Sequence, residues 1–467
     1  MYGDEHGAQL PAYRDHVNRI SKNLTSRSVA MQIRDSPTVS RKRGLQLRTV
    51  FVGLAMVVVG SFTVMPFYND AFASPSHTAS HTASGLNLKG FNGDSYGVHT
   101  AIRVLTFNGS QYSLAIDLAN HEIDGGLETP SSMCRSTVGC VAAVNGDYYD
   151  VTRKGQPDPG DEVGGIIQNC VLLHTPEIAH QQADLDGQQV GEGLDWSVGV
   201  EINGVTVPIM AVNQEFPMKY RNVNLPLTGN LLFATPFDLR TPSAAGRLNY
   251  EFIQVNNTTI PTTSTTTIPT TSTTTSPTTS PTTSSTTSST TIPIISSTAS
   301  PTTINTSTEL ELVGQTTNAV RVRAGHVDIS APTGSSFASL QVGDIVTMTT
   351  TSTAGCNNIG GHPILLNDGA VVPISAADTY MAQKYARTVI GWTASGETVI
   401  MTVAGTDDKS GATGHQLVGL LQSLHVVTAL DLDGGDSTAL YVDRRIYYHA
   451  GRGERPVSTG LLVVHNP

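Results

Sequence analysis

Two apolar runs, Val426–Leu432 and Thr438–Val442, flank the polar turn Asp433-Gly434-Gly435-Asp436-Ser437. Short apolar runs bounded by turn residues read as buried strands, so the chain reverses where its acids cluster. The pattern recurs upstream, where Cys140–Val144 leads into Asn145-Gly146-Asp147-Tyr148-Tyr149-Asp150. Alternating or apolar runs predict further strands over His99–Phe107, Gln111–Leu118, Gly165–Leu173, Ser197–Ile202 and Pro208–Val212. Arg387–Trp392 and Thr398–Val403 read as a hairpin. Leu417, Leu420, Leu421 and Leu424 fall at i, i+3, i+4 and i+7, one face of an amphipathic helix that begins near Gly414. Pro130-Ser131-Ser132-Met133 reads as a short helix start. The expected fold class is α+β, a strand-rich mixed domain with a few packed helices.

One stretch breaks this patterning. From Thr258 to Thr308 there is no charge and no aromatic ring, and nearly every residue is Thr, Ser or Pro. Such a tract cannot bury enough apolar surface to offset its ordering entropy, and it resembles stalks that carry O-linked sugars. Leu248–Val255 before it and Glu309–Val313 after it both read as strands, and Ala319–Ala324 alternates again. Residues 256–308 are therefore expected to be a disordered insertion carried by a hairpin, since loop-closure entropy grows slowly with length. The expected catalytic domain is 86–255 together with 309–467.

The first residues read as targeting. Arg41-Lys42-Arg43 and Arg48 precede an apolar run from Val50 to Val64, Pro66 ends it, and Ala71-Phe72-Ala73 has the small residues that signal peptidase prefers. Residues 1–48 are expected to be a cytoplasmic or signal n-region, 49–73 a signal peptide or membrane anchor, and 74–85 a tether. Met31 offers a shorter start with a conventional signal, whereas an uncleaved Thr49–Phe67 is just long enough to span a bilayer. Either way, everything after Ala73 is expected to be exported, extracellular or at the cell surface.

Composition narrows the function. Of 467 residues 39% are hydrophobic and only 14% charged, and the net charge is −11, so the chain lacks the basic face that nucleic-acid binding needs. There is no Walker loop, dinucleotide fingerprint or His-Glu-x-x-His pair, and none of the four cysteines forms a C-x-x-C knuckle. What remains is the carboxylates. Acids crowded on a Gly-Gly turn repel one another into different protonation states while the glycines admit a ligand closely. An acid/base or polyol-binding site is built in this way; the plainer alternative is an Asp-rich turn that only caps strands.

Ala142-Ala143-Val144-Asn145-Gly146-Asp147-Tyr148-Tyr149, Gly164-Gly165-Ile166, Gly360-Gly361-His362-Pro363 with Asn367-Asp368-Gly369, Ala386–Gly391, Leu432–Ser437 and Glu454-Arg455-Pro456-Val457 follow one another in this order. In that series the chain resembles the phosphodiester glycosidases, a family related to the lysosomal enzyme that uncovers mannose 6-phosphate. The resemblance implies hydrolysis of a sugar joined through its anomeric carbon to a phosphodiester. The partner would be a phosphate-linked glycan of an envelope or matrix, with membrane contact only through the N-terminal segment. Asp433 would be the leading catalytic carboxylate and Asp147 a second. Arg387 and Arg455 would grip phosphate with bidentate forks, unless each is held in a salt bridge, Arg455 by Glu454. Asn145, Gly165, Gly361, Gly434, Gly435 and Ser437 would line the substrate site, and His362 reads as a solvated loop histidine.

The family usually has Gly where Asp436 stands, often Asn at Asp431, and Asn where Thr459 stands. The extra acids at Asp431, Asp433 and Asp436 raise the alternative of a divalent-cation site, although no cofactor is implied and the EF-hand spacing is missing. The same residues also suit a surface glycan-binding module without catalysis, or a glycosidase acting on a different linkage, because function belongs to the site and not the fold. Four cysteines allow three pairings. Cys134–Cys140, across the helix-to-strand connection, and Cys170–Cys356, joining the two Gly-Gly segments near the site, are the expected pair.

Overall fold

The structure is a computed structural model that describes residues 81–466, except 84, 124, 151–159, 177–179, 194–195, 215–218, 221–222, 225–228, 236–239, 257–303, 353–354, 406–409 and 452. The expected signal or anchor, most of the tether and most of the Thr/Ser/Pro tract lie outside the described residues. No helix among the described residues is long and apolar enough to cross a membrane.

The architecture is mostly β. Among the described residues, α-helix is confined to Pro130–Ser136, Thr379–Ala382 and Gly414–Ser423. A first eight-stranded sheet runs His81–Ala83, Leu86–Gly93, Val98–Phe107, Thr398–Val403, Arg387–Thr393, Val426–Asp431, Ile364–Asn367, Ala370–Val371. Its strands alternate between two cores. Ile390, Ile400 and Leu430 face Val144, Leu440, Leu461, Ile166 and Ile359. Val389, Val399 and Met401 face Leu417, Leu420 and Leu421 of the longest helix. Burial on both faces explains why Arg387–Trp392 is buried throughout, where a half-exposed strand would alternate. The helix starts as its leucine spacing predicts, with Thr413 and Gln416 forming a reciprocal capping box.

Two five-stranded sheets complete the platform. One orders Arg445–His449, Ala439–Val442, Cys140–Asn145, Thr459–His465 and Tyr112–Leu118; the other orders Val171–His174, Ile166–Gln168, Asn358–Gly361, Gln181–Asp184 and Gln189–Gly191. Where the sequence predicts one strand over Gly165–Leu173, the structure has a hairpin. Asn169 and Cys170 take φ of 51° and 65°, a left-handed pair that turns the chain. Cys170 is bonded there to Cys356, and Cys134 is bonded to Cys140, the two pairings expected from sequence.

The last large sheet builds its own core, with Val200, Phe252, Leu310 and Ile329 packed on Phe337. Pro208–Val212 is divided there: Val205–Ile209 pairs with Trp196–Ile202, while Ala211–Val212 runs parallel to Leu231–Ala234. Ala319–Ala324 forms no strand beyond one bridge, Arg240 to Arg321. Two strand ends reach past the expected boundaries. His81–Ala83 pairs with Leu86–Leu88 inside the expected tether. Ile304–Thr308 pairs with Met348–Ser352 inside the expected tract, because β-branched Thr side chains suit a pleated neighbour of the same composition.

Arg247–Asn256 and Ile304–Thr316, the strands that flank the tract, pair antiparallel. Replacing residues 258–303 with a short Gly/Ser linker is therefore expected to leave soluble yield and melting temperature close to the parent, as read by thermal unfolding. Insoluble protein would count against a hairpin that carries an insertion.

Asp328 lies in this sheet opposite Glu251 and Phe233, buried, with neither carboxylate oxygen hydrogen-bonded. Burial pushes its carboxyl up to about 7, Glu251 adds to the rise and Arg323 opposes it. Arg323 and His326 meet Glu251 beside it. A carboxyl raised in the folded state contributes stability fully below its unfolded pKa, and that contribution is lost as pH rises through the folded one. Asp328→Asn should raise the melting temperature by several degrees at pH 8 and little at pH 4, which calorimetry across pH checks.

Candidate functional site

The site forms where strands of three sheets end together. Cys140–Asn145 runs out into Gly146–Tyr149, Val426–Asp431 into the Asp433 turn, and Asn358–Gly361 into His362. The backbone stitches these ends: Asp433 N–H donates to the Gly146 carbonyl at 3.1 Å, His362 N–H to the Asp431 carbonyl at 2.8 Å, and Gly146 N–H to the Thr459 carbonyl at 2.7 Å.

Asn145 is the clip. It is fully buried; its Nδ2 donates to the Asp433 carbonyl at 2.6 Å, and its Oδ1 accepts from Thr388 Oγ1 at 2.7 Å and from Ala439 N–H at 3.3 Å. An amide so engaged holds the turn in place instead of meeting sugar hydroxyls, which corrects its expected role. Gly435 completes the turn at φ 58°, where a side chain would be strained. A Cβ at Gly434 would press on the Tyr380 hydroxyl and the Ala386 carbonyl, and one at Gly361 on the Asp431 carbonyl. These glycines serve close packing of the turn, and Gly165 is likewise buried.

The three acids of the turn diverge. Asp431 is fully buried, Asp433 partly exposed and Asp436 exposed beside Gly451. Among the described residues no group of three or more His, Cys, Asp or Glu side chains is arranged to hold a metal ion. Asp431, Asp433 and Asp436 differ in exposure along the turn. Burial pushes Asp433 up to about 7; Ser437, the Gly434 amide at 2.9 Å and Arg455 oppose the rise, and Asp147 adds to it. Burial also pushes Asp431 up to about 7, against the pull of Arg387.

Arg387 is the larger correction. It is fully buried, and each of its five N–H groups has a partner inside the protein. Nε donates to the Ala412 carbonyl at 3.1 Å, Nη1 to Asp431 Oδ2 at 3.3 Å and Met381 Sδ at 3.2 Å, and Nη2 to the Tyr380 and Gln383 carbonyls at 2.8 and 3.2 Å. The guanidinium also lies 4.2 Å from the Tyr380 ring centroid, and Tyr380 stacks on Tyr385. No donor remains for phosphate. Arg455 differs. Glu454 binds the N–H of Ser131 at 2.8 Å and its hydroxyl, so it does not pair with Arg455. The Arg455 guanidinium sits 5.8 Å over Tyr149, near enough to Asp433 to lower its carboxyl, with no hydrogen bond or ion pair among the described residues.

Asp147 is buried behind this pocket. Its Oδ1 accepts from Tyr148 N–H at 2.7 Å and from His180 Nε2 at 3.0 Å. The His180 ring meets the edge of Tyr148 at 5.9 Å and lies 6.3 Å from His362, whose Nε2 contacts Asp378 at 2.9 Å. His362 is thus held by a carboxylate while its side chain stays 42% exposed, as a solvated loop histidine would be. Tyr148 donates its hydroxyl to the His362 carbonyl at 3.0 Å and meets the Tyr380 ring edge-on at 6.2 Å, and burial raises both phenols so that they stay protonated. Ser437 hydrogen-bonds Asp433 and Tyr149. Thr459 packs on Gly146 and donates to Glu162 at 3.4 Å. Sequence reading missed His180, Tyr148, Tyr380 and Asp378; of these, Tyr148 alone lies inside one of the motifs.

Residues 298–464 match the model of a family described as phosphodiester glycosidase. The chain resembles that family. The phosphodiester glycosidase match takes in Gly361, Arg387, Asp433 and Arg455, and leaves Asn145, Asp147 and His180 outside it. Among solved structures, a hypothetical protein from Synechocystis aligns at a TM-score of 0.57 and 15% identity, over 82% of this chain and 62% of that one. The chain thus spans less than two thirds of that protein. A Burkholderia pseudomallei protein proposed to be exported aligns at 0.53 and 14%, over 78% and 74%. The zebrafish N-acetylglucosamine-1-phosphodiester alpha-N-acetylglucosaminidase catalytic domain aligns at 0.36 and 13%, over 85% and 87%, a score that carries no weight. The first two likenesses concern the fold alone. No curated protein matches the chain.

Removing one partner of a buried ion pair leaves the other charge stranded, at about 3–5 kcal/mol. Arg387→Lys retains the charge but not the five-donor geometry, so it should lower stability by a few kcal/mol in urea unfolding. A variant as stable as the parent would return Arg387 to the role of a ligand-gripping fork.

Proposed function

We propose that this chain is an exported hydrolase that cleaves a sugar from a sugar 1-phosphodiester of an envelope or extracellular glycan. The observation that carries this is that Asp433 and Arg455 lie close enough for the guanidinium to lower the carboxyl. A partly exposed carboxylate lies in the field of a partly exposed cation that has no hydrogen bond or ion pair among the described residues. The carboxylate suits the positive charge that grows at the anomeric carbon, and the guanidinium suits the departing phosphate. A phosphomonoester is a good leaving group, so bond cleavage asks little of a general acid. Asn145 and Ser437 act by holding Asp433, and the neutral phenols of Tyr148 and Tyr380 form the wall beside it. The two disulfides and the basic-then-apolar N-terminal pattern support export, since such bonds persist in oxidising compartments.

The engagement of Arg387 inside the protein leaves the phosphate fewer cations than the sequence promises. That favours, as a second reading, a glycosidase acting on a linkage without phosphate. Comparing turnover of a methyl-capped sugar 1-phosphodiester with that of the corresponding methyl glycoside separates the two.

Asp433 must be ionised to oppose positive charge, so kcat/KM on the phosphodiester should fall as pH drops through about 7, where burial places its carboxyl. Asp433→Asn should lower kcat by about 10²–10⁴ while circular dichroism stays that of the parent. A folded Asn variant that cleaves at the parental rate removes Asp433 from the mechanism.

A further inference from the structure

Asp147 cannot reach a substrate with its own oxygens. Oδ1 is taken by the Tyr148 amide and by His180 Nε2. Oδ2 is buried, without a hydrogen bond, in a crevice between two glycine backbones. A Cβ on either Gly164 or Gly360 would collide with that oxygen. The two glycines come from separate segments, so the fold leaves side chains off both walls to seat one carboxylate. What that carboxylate offers the pocket passes through His180. Because Nε2 donates to Asp147, the lone pair of the imidazole is placed on Nδ1. Nδ1 has no hydrogen-bond partner among the described residues, on a side chain that keeps 5% of its surface exposed. The ring is fixed between Tyr148 and His362, and Asp433 is near enough to Asp147 to feel its charge.

We propose that His180 is the base that takes a proton from the hydrolytic water, with Asp147 as the residue that positions it; this rests on the hydrolase reading of the same pocket. The oxygen of water bonds to the anomeric carbon. The bond from that carbon to the phosphate oxygen breaks, and its electron pair leaves with the phosphate. The proton of water passes to His180 Nδ1 and on to the phosphomonoester, which departs as a monoanion. Asp433 stays ionised throughout and supplies the charge opposite the anomeric carbon. The division of labour follows from access: Asp433 is partly open to the pocket, and Asp147 is closed to it. A carboxylate that fixes an imidazole tautomer and steadies the imidazolium is a general device of hydrolases.

The test uses the purified protein and a methyl-capped sugar 1-phosphodiester. His180→Ala should lower kcat by about 10²–10³ with KM changed by less than about threefold, and added imidazole should recover at least about tenfold of the loss. His180→Gln, which retains more bulk, serves if the alanine variant does not fold. Asp147→Asn should also lower kcat, and imidazole should not restore it. Nitrogen-15 spectra of the ring should show Nε2 protonated and Nδ1 bare in the parent, with that preference lost in Asp147→Asn. A parent that cleaves the probe while both folded His180 variants retain its kcat overturns the assignment. So does a Nδ1-protonated neutral ring, or a loss confined to His362→Gln. A parent that cleaves only the methyl glycoside overturns the phosphodiester reading and leaves the base assignment to be decided by the same variants on that substrate. A parent that cleaves neither overturns both.

Discussion

The buried pair of Arg387 and Asp431 is the constraint around which this site is arranged. Two opposite charges with no solvent access are tolerated only when geometry and hydrogen bonds replace the lost water. Here the replacement comes from the backbone of the segment Tyr380–Gln383, from the Ala412 carbonyl and from the Met381 sulfur. Satisfying one guanidinium thus draws a short helix and a loop onto adjacent strands of the first sheet, and sets Tyr380 against the turn. The next acid along, Asp433, inherits a fixed backbone as a result.

That inheritance explains how adjacent acids come to different states. Asp431 is closed in beside its arginine, while Asp433 is lifted to the pocket edge, its carbonyl clipped by Asn145 and its carboxylate steadied by Gly434 and Ser437. Both carboxyls are raised to about 7 by burial, yet only Asp433 is partly exposed. Asp147 repeats the arrangement on the other side, with a histidine as its outlet. The site is therefore built from carboxylates held in place by neighbouring backbone and side-chain groups.

The sheet whose strands flank the Thr/Ser/Pro tract has a second core of its own. Its core draws mainly on its own strands and Phe337, while Leu231 and Phe233 pack into the large core of the other sheets. The platform of the other sheets shares one large core, and the strand ends that make the site belong to it.

Local pattern was enough for much of this. The apolar runs before Asn145 and Asp433, the glycines of the turn, the helix of Leu417 to Leu421 and its cap depend on neighbours within a few residues, and the chain states them directly. The hairpin at Asn169-Cys170 was hidden because an apolar run reads the same whether or not it turns. Roles were less legible than elements. Arg387 resembles a ligand-binding fork until Asp431, the Tyr380 carbonyl and Ala412 are brought around it, and Asp147 resembles a catalytic acid until Gly164 and Gly360 close on it. His180 stands in no motif at all, and only the tertiary structure puts its ring on Asp147. The sequence by itself determined which segments are strands and which turns bear charge, because those follow from periodicity and backbone freedom. Which charges are sealed and which are open was decided by tertiary structure, because solvent access and hydrogen-bond partners are properties of residues far apart in the chain.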